Sequence, residues 1–81
     1  MKLYTFKGKC NVAGERIRLA RERCGWSQEQ LAAKLQVEEI NVTQKAVSRM
    51  ETGLRVIPDY ELPALAKVLQ VSVLWLLAAE E

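Results

Sequence analysis

Three hydroxyl residues frame this chain. Ser27, Thr43 and Ser72 each stand just ahead of an apolar stripe, and Gly25 and Gly53 each stand just behind one. A serine or threonine ahead of a helix accepts a bond from a backbone N–H that the helix leaves free. A glycine behind it adopts the left-handed backbone that ends a helix. Gln30 follows Ser27 at the spacing of a capping box. The stripes agree with this punctuation. Ile17, Ala20 and Cys24 recur at spacings of three and four, as do Leu31, Ala32 and Leu35, then Val47, Met50 and Leu54, then Leu62, Leu65, Ala66 and Leu69. Asp59 stands where it would cap the fourth helix, with Pro63 tolerable in the first turn. Ser72 opens a fifth, VLWLLAAE. The N-terminal KLYTFK alternates weakly, and no second strand follows it. Short helices with short connections can bury their stripes only against each other, so the fold expected is an all-α bundle of five helices.

Eighty-one residues suffice for one such core. The most apolar stretch, VLQVSVLWLLAA, is too short and too interrupted for a membrane span, which needs about 20 residues. MKLYTFKGK lacks the apolar centre of a signal peptide, so a cytoplasmic protein is expected. Cys10 and Cys24 form no metal pattern, histidine is absent, and the two thiols read as free. No metal and no cofactor is expected. An enzyme is a poor reading. The chain has no paired acids in an evident cleft, no phosphate-binding glycine loop, and no base beside a serine or cysteine.

Charge is the more informative property. The net charge is only +2, yet residues 1–35 carry eight Lys/Arg against three acids, and residues 36–81 carry four against seven. The first half suits a polyanion. The stretch TQKAVSRMETG narrows this further. At about 100° per residue, Arg49 and Ser48 fall about 40° and 60° to either side of Lys45, and Val47 and Met50 point away. Gln44 sits in the first turn. This face gathers hydrogen-bond donors and contains no carboxylate; the one acid of the helix, Glu51, lies on the far side with Val47. The N-terminus of the preceding helix, Ser27-Gln28, offers free N–H groups and a partial positive charge, which favour phosphate.

The segments GWSQEQLA, VSRMETG and LAKVLQVSVLWLL, in that order, resemble the phage-repressor family of Xre/Cro-type helix-turn-helix DNA-binding domains. The resemblance runs from about Gly14 to Leu77. It implies an N-terminal arm or short extension over 1–12, a DNA-binding domain over 13–79 and a C-terminal end at 80–81. It also implies roles: Gln44, Lys45, Ser48 and Arg49 at bases, Gln28, Thr43 and Arg55 at phosphates, and Arg21 paired with Glu51 to join the first helix to the third. The implied partner is double-stranded DNA, an inverted-repeat operator bound by a homodimer, with repression as the simplest consequence. A protein-interaction module, such as an antitoxin or a regulator's partner, is the rival reading.

The chain departs from the family pattern in two places. LQVEEINVT replaces the tight glycine turn, which lengthens the connection between helices two and three by about five residues. Asn41 is expected there in a left-handed conformation, with Val37, Ile40 and Val42 packed inward and Glu38 and Glu39 turned from the DNA. Leu74 precedes Trp75 where the family commonly has a polar residue, so the last helix is apolar nearly all round and Leu74 is expected at a self-association surface. At the N-terminus, Lys2, Lys7 and Lys9 either grip DNA from an arm or belong to an extension whose Tyr4 and Phe6 pack on the bundle. The aromatic residues favour packing.

Overall fold

A computed structural model describes residues 5–80. Five helices follow in order: α1 Gly14–Arg23, α2 Gln28–Val37, α3 Gln44–Glu51, α4 Leu62–Leu69 and α5 Val73–Leu76. One 3-10 turn, Asp59–Glu61, leads into α4. Among the described residues there is no strand, only an isolated bridge between Phe6 and Lys9. The architecture is all-α, as the stripes require.

The capping signals act as chemistry predicts. The Ser27 side chain accepts from the Gln30 N–H at 3.1 Å while the Gln30 side chain accepts from the Ser27 N–H at 2.8 Å. Thr43 accepts from Ala46 N at 3.2 Å, and Ser72 from Trp75 N at 3.0 Å. Each such cap contributes about 1 kcal/mol. Asp59 does not cap α4. It opens the 3-10 turn without a side-chain cap bond, and Pro63 occupies the first turn of α4, where its missing N–H costs nothing. A cap the sequence did not announce comes from Asn11, whose side-chain oxygen accepts from Gly14 N at 2.8 Å.

The stripes meet in one core. Ile17, Leu31, Leu35, Val42, Val47, Met50, Leu65 and Leu76 are fully buried, and side chains of this size contribute about 1.5–3 kcal/mol each. α1 passes very close to α3. A Cβ on Gly14 would collide with the Met50 carbonyl oxygen, so glycine is required there. α5 is held to α1 by Trp75. Arg16 lies 4.8 Å and Arg23 5.4 Å from its ring, and Arg16 also donates to the Trp75 carbonyl at 3.0 Å.

The lengthened α2–α3 connection differs from expectation in two respects. Glu39, not Asn41, takes the left-handed backbone, with φ of 64°. The reason is the way α2 closes: Ile40 N donates back to Leu35 O and Glu39 N to Gln36 O, which forces the residue at Glu39 into that region. Val37 is 79% exposed rather than packed, because two residues past Leu35 on a helix is the opposite face. Val42 is buried as expected, and Ile40 packs against the core. Glu38 turns to Lys67 at 2.9 Å, and the Gln36 side chain donates to Val42 O at 2.8 Å.

The N-terminal extension is attached to the bundle, but not through Phe6. Phe6 is 59% exposed, contrary to the packing expected of it; Tyr4 and Lys2 lie outside the described residues. Backbone and polar side chains make the attachment instead. Cys10 N donates to Gly53 O at 2.8 Å, Lys9 Nζ to Thr52 O at 3.2 Å, and Asn11 Nδ2 to Met50 O and Arg55 O at 3.1 and 2.7 Å. The extension therefore supplies donors to carbonyls at and just beyond the end of α3.

Candidate nucleic-acid interface

α2 and α3 lie side by side across the connection at residues 38–43, so the N-terminus of α2 and the outer face of α3 share one side of the molecule. The inner face of α3 is fixed by Val47 and Met50, both fully buried. That leaves Lys45 and Arg49 outward and exposed, with Ser48 half-buried between them. Neither cation has a hydrogen bond or ion pair to any described residue. The Thr52 hydroxyl, on the same face, donates back to Ser48 O at 3.0 Å.

The base of this face is a polar relay. Arg21 donates to both oxygens of Glu51, at 2.6 and 3.0 Å, and with its remaining arm to Trp26 O at 2.8 Å. This joins α1 to α3. Glu51 is 7% exposed, and a carboxylate so buried needs such a two-pronged partner. The hydrogen bonds Arg21 donates to Glu51 hold the Arg21 pKa above its ordinary value, against the opposing effect of burial. Glu51 Oε1 takes a further bond from Gln28 Nε2 at 3.0 Å, and Gln28 Oε1 in turn takes one from Gln44 Nε2 at 2.7 Å. Four residues from three helices thus end on the first side chain of α3.

Arg55, expected at a phosphate, is engaged within the protein. Both arms of its guanidinium face Glu61, at 2.8 and 3.0 Å, and Glu61 is 4% exposed. That carboxylate raises the Arg55 pKa, again against burial. Sequence reasoning gave Glu61 no role; its only trace was its place in an apolar-flanked turn. Leu74 is 55% and Leu77 38% exposed, on the side of α5 away from the core residue Leu76.

A family model described as helix-turn-helix matches residues 17–76, about three quarters of the chain. The chain belongs to the Xre/Cro-type helix-turn-helix family. No curated protein matches it. Membership makes this chain a DNA-binding transcription regulator in general terms. α2 and α3 are the two helices of the helix-turn-helix unit, and the relay from Arg21 to Gln44 spans it. Among the described residues no helix is long and apolar enough to cross a membrane.

Proposed function

We propose that this helix-turn-helix protein is a repressor that reads a specific DNA sequence through the major groove with α3. The observation that supports the reading most is the acid-free outer face of α3, where Lys45 and Arg49 stand exposed and uncommitted. Duplex DNA is the polyanion such a face fits, and guanine O6 and N7 accept two parallel bonds from arginine or one from lysine. Gln44 and Ser48 complete the base-reading set. Thr43 and the α2 N-terminus meet the phosphates that flank them. The Gln28 side chain is occupied by Glu51 and Gln44, so its phosphate contact runs through the backbone N–H at the helix start. Arg55 is not part of the proposal, since a phosphate there would have to displace Glu61.

A homodimer in the cytoplasm, joined near Leu74, would bind an inverted repeat with half-sites about one helical turn, ~10 bp, apart. Repression follows by occupancy of a promoter. Selection from a random duplex pool tests the whole reading, with affinity measured across salt and sedimentation run on wild type and Leu74→Glu. The expected result is an enriched inverted repeat, an affinity that falls steeply with salt, and loss of dimers in Leu74→Glu. An empty selection with salt-insensitive binding to a protein would favour the interaction-module reading instead.

A further inference from the structure

The match to the family begins at residue 17, so the extension ahead of α1 lies outside it. Within the extension a tight turn, with φ of 52° at Lys7 and 79° at Gly8, brings Phe6 back to Lys9. Grooves of about 320 and 410 Å³ run along the extension, each lined by Phe6, Lys9, Asn11 and Val12 among others. Polar bonds rather than close packing therefore hold it to the bundle. Asn11 is the centre of them. Its Oδ1 accepts from Gly14 N, at the start of α1, at 2.8 Å. Its Nδ2 donates to Met50 O in the last turn of α3 at 3.1 Å and to Arg55 O in the loop beyond at 2.7 Å. A carboxylate could not donate these bonds and an ammonium could not accept the first, so the site calls for an amide. One side chain thus joins the start of α1, the end of α3 and the loop that follows.

We propose that Asn11 is a positioning residue for DNA binding: it clamps the C-terminal end of α3 to the start of α1 and so fixes the tilt at which α3 meets the bases. This rests on the reading of α3 as the base-contacting helix. α3 has only eight residues, and the last turn of a helix leaves its carbonyls without partners of its own. The extension supplies them. Lys9 Nζ donates to Thr52 O at 3.2 Å and Cys10 N to Gly53 O at 2.8 Å, beside the two bonds from Asn11. The fit is close: a Cβ on Gly53 would strike the Lys9 side chain, and one on Gly14 would strike Met50 O. Arg49 stands one residue before the clamped Met50. With the clamp intact the end of α3 is set before DNA arrives. Without it, binding itself must supply that order, and affinity falls. Base contacts need α3 at a fixed depth and tilt, whereas attraction to phosphates tolerates small shifts. The clamp therefore acts on specific binding and spares non-specific binding.

Asn11→Ser tests this. Its hydroxyl can still accept from Gly14 N, but it is too short to reach both Met50 O and Arg55 O. In the free protein, amide hydrogen exchange from Thr52 to Arg55 should quicken roughly tenfold, the effect of two lost hydrogen bonds. Affinity for the duplex that the wild type selects should fall by a similar factor, roughly tenfold, at a temperature where circular dichroism shows the variant folded. Affinity for random duplex, and its slope against salt, should not change. Unaltered exchange overturns the clamp. Faster exchange with undiminished specific affinity, or an equal loss on both duplexes, makes Asn11 a merely structural residue and overturns its positioning role. If Asn11→Ser does not fold, Lys9→Met decides. It removes one bond to the same helix end and should cost roughly threefold in specific affinity at an unchanged salt slope. No loss, or a slope lowered by about one as for a lost phosphate contact, overturns the proposal. Undiminished specific affinity in Arg49→Ala would instead defeat the reading of α3, and the proposal with it, while leaving the exchange result standing, so the two failures are told apart.

Discussion

Two arginine–glutamate pairs flank α3, and they differ in what the glutamate does next. Arg21–Glu51 and Arg55–Glu61 are both two-pronged, with shortest contacts of 2.6 and 2.8 Å. In the first, the arginine and glutamate side chains are 12% and 2% exposed, and the glutamate passes a further bond to Gln28 and so to Gln44. In the second the arginine is 27% exposed, and its remaining bond reaches only the neighbouring Val56 carbonyl. The first pair ties the outer face of α3 to the core. The second closes the loop that follows α3. The same two side chains at similar distances therefore take different parts, according to what lies on the third side of the carboxylate.

The largest effect should come from Glu51→Ala. It strands a mostly buried Arg21 and unties Gln28, and a broken buried pair costs about 3–5 kcal/mol. Chemical denaturation would show it, with DNA binding lost alongside. A cost below that of Glu61→Ala would dissolve the distinction between the pairs. Glu61→Ala should cost about 1–3 kcal/mol, because water still reaches Arg55, and should leave the selected DNA sequence unchanged. A changed base preference in that variant would mean Arg55 acts at the DNA after all. Lys67→Ala provides the lower bound. Its bond to Glu38 is on the surface, with the lysine 72% exposed, and its loss should stay within about 0.5 kcal/mol in the same denaturation series.

The difference between the pairs also marks how far the sequence could be read. Arg21 and Glu51 belong to a family pattern, and Glu51 falls at about 240° on the α3 wheel, a position too inward for a solvated acid. Glu61 lies in a 3-10 turn, where no helical period applies, so nothing in its spacing revealed that it would meet Arg55. Helix ends tell the same story. All five helices close with a left-handed residue: Gly25, Glu39, Gly53, Gln70 and Ala78. Only the two glycines are visible as stops. The other three accept a strain of about 1–2 kcal/mol that the back-bonds to the preceding turn must offset. The excess of positive charge in the first 35 residues was legible as a number, but much of it is engaged within the protein. Arg16 and Arg23 lie over Trp75, Lys34 lies 4.4 Å from the Trp26 ring, Arg21 holds Glu51, and Lys9 caps α3. The half with net negative charge carries the exposed Lys45 and Arg49. Local arrangement, which periodicity gives, was a better guide than net charge to which cations stand exposed on α3.

The claim that α3 enters the major groove is tested most directly by methylation protection at guanine N7, an atom exposed only there. On the selected duplex at saturation, wild type should protect a guanine N7 in each half-site. Arg49→Ala, bound at higher concentration, should leave that guanine open. Guanine N7 left fully reactive by wild-type protein, with adenine N3 of the minor groove protected instead, would contradict the account.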